Sequence, residues 1–398
     1  MSRPRRVVEV LREFSIPLIA GVLTSLVWAN LDEVGYRATV HFAPLTLLGF
    51  GGEVAHATSL HYLVNEILMA FFFGIATKEI TESCLPGGAL FPLNRAVNPL
   101  LGTLGGVLGP IVVYKAMVAL LGAPEIAVGW GVPTATDIAL AWLVARAVFG
   151  AKHPAVSYLL LLAVADDGIG LAIIAVFYPD PMHPTQPVWL ALVALAMGLA
   201  WLLKRRGALS PWLYVLVPGI LSWLGLAKAH MHPALALVPI VPFMPHAVRD
   251  EGLFVESVGP DPVTDTMRRF EHAVKQPVDF GMFGFGLVNA GVAFTSIGPA
   301  TWAVFAALLV GKTLGVSTLA TLGDRLGFPI PEGMTPKELV FAGLTAGLGL
   351  TVALFVAGAA FTDPTIQGAA KMGALFSVAA APLALAGGRL FGLERRST

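Results

Sequence analysis

The chain has 398 residues, of which 56 % are hydrophobic and 13 % charged, with a formal net charge of zero and a mean hydropathy of +0.77. A soluble domain carries about 25 % charged residues, so the composition points to a polytopic membrane protein whose partner is the lipid bilayer, and zero net charge argues against a nucleic-acid surface. The single cysteine, Cys84, excludes an internal disulfide framework and Cys-rich metal sites.

Windows of about 20 apolar residues predict about twelve transmembrane helices. In chain order they are Phe14–Asn30, Tyr62–Ile80, Pro99–Leu121, Ile126–Phe149, Val156–Tyr178, Val188–Leu203, Trp212–Leu226, Pro233–Pro245, Val278–Phe294, Trp302–Leu322, Glu338–Phe361 and Ile366–Leu390. The first follows Met1-Ser-Arg-Pro-Arg-Arg and ends Val27-Trp28-Ala29-Asn30 without a small-x-small cleavage site, so a spanning helix is expected there and not a signal peptide. The eighth is short and studded with proline. Of the 25 Lys and Arg, about 20 fall in loops on one side of this register, including Lys78. Arg37 and Lys228 fall on the other, and Lys115, Lys312 and Lys371 lie inside spans. The positive-inside rule then puts both termini in the cytoplasm. The whole chain, 1–398, reads as one membrane domain.

Two loops stand out. The outer stretch 41–61 contains Leu45-Thr-Leu-Leu-Gly-Phe-Gly-Gly-Glu-Val54, where short apolar runs around a Gly-rich turn fit a small β-hairpin or an unstructured linker. The inner stretch from Met244 to Gln276 is polar and reads as a linker followed by an amphipathic helix start at 264–272.

In the fourth segment Pro133, Thr134, Thr136 and Asp137 interrupt an apolar helix near its centre. Proline removes a backbone donor and frees a carbonyl, which in lipid is tolerated only toward a cavity or the protein interior. Carbonyls, a Thr hydroxyl and a carboxylate are hard oxygen donors, suited to small non-transition cations. In the fifth segment Asp166 and Asp167 sit midway along the apolar run 158–177. Each such group costs several kcal/mol at bilayer depth, and helix neighbours point about 100° apart. One can line a water-filled cavity while the other meets a partner. Lys312, near the middle of the tenth segment, is too deep to snorkel and is expected to pair with Asp166. Lys115 and Lys371 lie nearer span ends and read as snorkelling or structural.

The eleventh segment is interrupted at Gly347, Gly349 and Thr351. Alone this could be a small-residue packing face. If spans three to five and ten to twelve are related by inversion, however, it corresponds to the fourth, and paired interrupted segments point to a transporter binding site. His230 and His232 lie at the outer side, where an imidazole could sense pH. Their i, i+2 spacing does not suggest a metal site.

These runs resemble the NhaA family of sodium/proton antiporters. The resemblance rests on Gly129-Trp-Gly-Val-Pro-Thr-Ala-Thr-Asp-Ile-Ala139, Ala165-Asp-Asp-Gly168, Phe285-Gly-Leu-Val-Asn-Ala-Gly-Val292, Gly311-Lys-Thr-Leu-Gly315 and Gly347-Leu-Gly-Leu-Thr351, which occur in the family's order. It covers the chain from about Phe14 to Leu390. It implies an all-α fold with inverted repeats and two discontinuous helices. The core bundle would comprise spans three to five and ten to twelve, the remaining spans an interface bundle, and the external 41–61 hairpin would help hold a homodimer. It further implies that Asp167 is the principal ion and proton carboxylate, with Asp137 and Thr136 beside it as Na+ ligands. Asp166 would be salt-bridged to Lys312, and Asp137 and Lys312 would compensate the charges of the broken helices. His232, Glu271 and His272 match positions tied to pH response, whereas Ala76 replaces an acidic residue of the family pattern.

The function implied is electrogenic exchange of Na+ or Li+ for protons in a bacterial inner membrane, serving pH homeostasis, with no cofactor beyond the transported ions. Two alternatives differ in what they require. A sodium-coupled symporter of an organic anion needs a cationic substrate pocket, and the sequence offers one deep lysine. An intramembrane aspartyl protease needs a Gly-x-Gly-Asp signature, which Thr321-Leu-Gly-Asp324 lacks; no enzyme activity is expected.

Overall fold

Capping side chains and prolines set the helix starts. Asp32, Asp137, Asp265 and Asp363 each accept a first-turn backbone N–H, at 2.9, 3.1, 2.8 and 2.7 Å. Thr335 and Glu338 cap one another's backbone N–H groups reciprocally, at 2.6 and 3.4 Å. These contacts satisfy donors for which the helix itself has no acceptor.

The computed structural model describes residues 16–48, 58–86, 88, 90, 93–151, 153–179, 183–246 and 265–393, and all regular structure among them is helical. Chain order gives α1 (Ile16–Leu31), α2 (Glu33–Val40), α3 (Leu60–Ser83), α4 (Leu93–Leu121), α5 (Ile138–Phe149), α6 (Pro154–Phe177), α7 (Pro187–Arg205) and α8 (Pro211–Lys228). After them come α9 (Thr266–Asn289), α10 (Pro299–Arg325), α11 (Pro336–Ala346), α12 (Thr351–Ala360) and α13 (Pro364–Leu390). Among the described residues seven helices are long and apolar enough to cross a membrane. The number rises to nine if two sharply bent pairs each count as one span. The protein is therefore a multi-pass membrane protein.

Two predicted elements are corrected. The eighth segment, Pro233–Pro245, is not a continuous helix but two short 3-10 turns, Pro233–Leu235 and Val241–Phe243. Pro233, Pro239, Pro242 and Pro245 each withhold a backbone donor and prevent an α-helix from propagating. At the predicted hairpin, Pro44–Leu48 is a 3-10 turn and not a strand. Pro44 opens it with a preset φ, and the Thr46 N–H bonds the Ala43 carbonyl at 3.0 Å. Residues 49–57 of that expectation lie outside the described residues.

The chain divides into two compact units. One is drawn from Ala89–Gly170 and Val292–Thr398, the other from Ile16–Gly88 and Leu171–Gly291. In the first, α4 and α10 pack backbone to backbone. A Cβ on Gly105 would land on the Gly315 carbonyl and one on Gly109 on the Gly311 carbonyl, so only glycine permits this approach. Asn98 joins the two strips of chain, its Nδ2 donating to the carbonyls of Ala320 (2.9 Å) and Phe328 (2.8 Å). In the second unit, α1 packs on α9 in the same manner. A Cβ on Gly286 would stand 2.7 Å from the Leu18 oxygen. The buried pair Asn289–Asn65, at 2.8 Å, ties α9 to α3.

Candidate functional site

The first unit contains both sharply bent pairs. The 3-10 segment Pro124–Thr134 meets α5 at 63°, and α11 meets α12 at 52°. Pro133 and Thr134 belong to the end of the 3-10 segment, and the extended break is Ala135 to Asp137. The second break is Gly347 to Leu350. The breaks bond to each other: the Asp137 N–H donates to the Leu348 carbonyl at 2.6 Å, and the Thr136 hydroxyl lies 2.9 Å from the Ala346 carbonyl. The Gly349 N–H donates to Ser377 Oγ of α13 at 3.3 Å. Side chains and the opposing break thus take up backbone groups that neither broken helix can satisfy alone. Gly349 has no room for a Cβ, which would come 2.6 Å from Leu308 Cδ2 and 3.0 Å from the Ala135 oxygen.

Asp166, Asp167 and Lys312 lie in the same unit as these breaks. Asp166 and Lys312 are both 0 % exposed, and Lys312 Nζ donates to Asp166 Oδ2. Thr136 completes a triad. Its hydroxyl accepts from Lys312 Nζ at 2.6 Å and lies 2.8 Å from Asp166 Oδ2. The single hydroxyl proton can serve Asp166 or the Ala346 carbonyl, not both at once. Lys312 follows directly on a π-helical turn, Ala307–Gly311, inside α10. Such turns shift the register of a helix and recur at functional sites.

Asp167 is 8 % exposed and lies in the electrostatic field of Asp166, Lys312 and Asp137. Asp137 Oδ1 accepts from the Leu140 N–H at 3.1 Å, while the hydroxyl and N–H of Thr351, at the start of α12, face its carboxylate. Asp137 therefore sits against the positive ends of two helices, α5 and α12. One oxygen on each carboxylate, Asp137 Oδ2, Asp166 Oδ1 and Asp167 Oδ1, is buried without a hydrogen-bond partner. Leaving an acceptor in that condition costs about 1–3 kcal/mol, more when it is charged. Three buried carboxylates are matched by one buried ammonium, that of Lys312, which pairs with Asp166, so full ionisation leaves an excess of buried negative charge that protons or a small cation can neutralise. The donors present are carboxylate, hydroxyl and carbonyl oxygens, the set that suits Na+ or Li+ over a transition metal.

The residues expected to respond to pH, His232, Glu271 and His272, lie in the second unit. Glu271, in the first turns of α9, pairs with Lys78 at 2.7 Å and with Lys275 at 2.9 Å. Lys78 also meets Glu82 at 2.7 Å and Glu79 at 3.3 Å. Burial pushes the Glu271 carboxyl up, but the ammonium groups of Lys78 and Lys275 outweigh it and leave it at about 2. His272 is exposed, and His232 immediately precedes the 3-10 turn Pro233–Leu235. Lys78, read as a cytoplasmic loop charge, is buried inside α3. Glu79 and Glu82 follow Ala76 on α3 by three and six residues.

Sequence reasoning missed the backbone partners of the site, the carbonyls of Ala346 and Leu348, and the hydroxyl of Ser377. It also missed the π-helical turn beside Lys312 and the depth of Lys371, which is only 8 % exposed within α13. Nothing in local composition marks a carbonyl as a partner. The run of small residues from Gly343 to Gly349 was the one available sign of close backbone approach.

The family model for Na+/H+ antiporter 1 matches residues 5–387. The chain is 60 % identical over 391 residues to a protein named Na(+)/H(+) antiporter NhaA from Geobacter metallireducens, covering 98 % of this chain and 99 % of the relative. It is 58 % identical to the Geobacter sulfurreducens protein of that name, with the same coverage, and 56 % identical to the one from Desulfitobacterium hafniense, covering 99 % and 98 %. The chain belongs to the Na+/H+ antiporter 1 family.

Proposed function

We propose that the protein exports Na+, or Li+, in exchange for protons that compete for one buried carboxylate site. The observation that carries this is the gathering of Asp137, Asp166 and Asp167, each with an unpartnered buried oxygen, at two helix breaks bonded to each other, where Lys312 pairs with Asp166. Asp167, with Asp137 and Thr136, holds the cation. Asp166 and Lys312 form the exchangeable ion pair. Burial penalises the charged carboxylate and a bound cation favours it, so ion and protons exclude one another.

At cytoplasmic pH the site gives up protons and takes Na+. Rigid movement of the unit that carries it then exposes it outside, where protons displace the ion. Exchange of about two protons per sodium makes transport electrogenic, so that the membrane potential drives it at about 2.3 kcal/mol per charge per 100 mV. The second proton belongs to the coupled Asp166–Lys312 pair and not to either residue alone. A symporter of organic anions finds no support here, because Lys312 is already engaged by Asp166 and Thr136.

We also assign this chain the finer architecture that its resemblance implies: about twelve spans, with segments 99–178 and 302–390 as inverted repeats. In that assignment the first unit is the ion-carrying core and the second the bundle that holds a homodimer through the outer 41–61 stretch. Both termini face the cytoplasm of a bacterium, across its inner membrane. Matching bends at 63° and 52° in the fourth and eleventh segments support the repeat. His232, Glu271 and His272 set the pH range of exchange. The test is fluorescence-detected ΔpH in everted vesicles with added Na+, Li+ or K+. The parent chain dissipates ΔpH with Na+ and Li+ but not K+, and Asp167→Asn abolishes the response. Sodium-dependent proton movement persisting in that variant refutes the assignment.

A further inference from the structure

The spacing of His230 and His232 argues against a metal site, but the fold sets another imidazole, His183, beside His230. The ring centres of His183 and His230 are 5.0 Å apart, with planes tilted by 45°. Two imidazoles on one tetrahedral ion, each with a metal–nitrogen bond of about 2.0–2.1 Å, have ring centres about 5 Å apart. Both residues belong to the second unit. The strips that bear them are already joined, since the Gln186 N–H donates to the Ala229 carbonyl at 3.1 Å.

The tautomer of His230 is fixed. Its Nδ1 lies 2.8 Å from the Pro184 carbonyl, and a carbonyl can only accept, so Nδ1 carries the proton. In the neutral ring Nε2 therefore keeps its lone pair. This is the arrangement of metal-bound histidines, whose second ring nitrogen donates to a carbonyl or carboxylate. His230 is also held at φ 58°, the one non-glycine residue at positive φ among the described residues. That conformation is the left-handed cap that ends α8, closed by the Met231 N–H on the Leu226 carbonyl at 3.0 Å. The other histidine pair is a poorer candidate: His41 and His61 lie nearly parallel, at 29°, and His61 Nε2 is engaged by Asn65 Nδ2 at 3.1 Å.

We infer that His183 and His230 form a two-histidine site for a divalent first-row transition ion such as Zn2+, completed by water, that clips 183–186 to the turn 229–232. Imidazole pairs suit Zn2+, Cu2+ and Ni2+ and have no use for Na+, so this site is separate from the aspartate site in chemistry as well as in chain position.

The experiment is calorimetric titration of Zn2+ into the full-length protein, purified in detergent and freed of metal with a chelator. About one ion per chain is expected. His183→Ala and His230→Gly each weaken binding at least about tenfold, whereas His61→Ala leaves it unchanged. Glycine adopts φ 58° without strain, so His230→Gly removes the ligand while favouring the fold. Sodium-dependent proton exchange retained by both variants in metal-free buffer verifies that fold. No binding by the parent chain up to roughly 50 µM Zn2+, binding that survives either substitution, or binding abolished by His61→Ala overturns the inference.

Discussion

Lys312 and Asp166 form an ion pair in which neither side chain has any solvent exposure. Desolvating two ions is repaid only when every remaining donor and acceptor finds a partner. Thr136 supplies one, yet Asp166 Oδ1 still lacks one. A buried pair so incompletely satisfied is poised for use more than for stability.

Removing one partner leaves an uncompensated buried charge, at a cost of about 3–5 kcal/mol. Lys312→Met should therefore lower the thermal midpoint in detergent markedly. Adding Asp166→Asn to it should recover most of the loss, because both charges are then gone. Thermal unfolding of the two single variants and the double variant measures the coupling. Additive losses would mean that the pair is not the unit of stability.

Thr136→Val keeps the shape but removes the hydroxyl that accepts from Lys312 and adjoins Asp166. Loss of one charge-assisted hydrogen bond, worth about 1.5–3 kcal/mol, should raise the Na+ concentration for half-maximal exchange by tenfold or more on the order of that energy. Thr136→Ser should stay near the parent value. Initial rates in proteoliposomes across a Na+ series separate the two variants.

The α4–α10 contact rests on absent side chains. Gly315→Val would push a branched side chain into the backbone at Gly105 and Gly109. Overpacking of that kind costs about 1–3 kcal/mol or more. Because Lys312 lies one turn away on α10, the Lys312–Asp166 geometry should suffer too. Gly315→Val is expected to lower both the thermal midpoint and the exchange rate, while Gly198→Ala on α7, which meets nothing within 4 Å, changes neither.

Glu271 gives a pH signature of a different kind. Its carboxyl is held at about 2 against an ordinary 4.5. A depressed folded-state value contributes stability that is fully present above pH 4.5 and is lost as pH falls through about 2. Glu271→Gln should therefore unfold at a lower temperature than the parent at pH 7. The gap should narrow steadily below pH 4.5. A constant gap between pH 7 and pH 3 would show that the Lys78–Glu271 and Lys275–Glu271 pairs contribute nothing through charge.

Much of this could be read along the chain. Asp137, Asp166, Asp167 and Lys312 announce themselves because each is a costly exception in an apolar run, and the cost is local. The break after Pro133, from Ala135 to Asp137, is likewise local, since a missing donor disrupts the helix that contains it. That Asp166 and Asp167 face different surroundings could also be expected, as neighbours on a helix point different ways.

Tertiary structure alone decided who meets whom. Thr136 bridges residues 30 and 176 positions away, and the Ala346 and Leu348 carbonyls become site partners only because the second break lies across the first. Pro233–Pro245, with its apolar composition, reads as a span and fails as a helix, since hydropathy measures transfer and says nothing of backbone donors. His183 and His230 meet through the fold of two connecting loops, 47 positions apart. Hydrophobicity and helix propensity act over a few turns and leave their mark on sequence. Contacts between distant side chains and bare carbonyls leave none until the chain is folded.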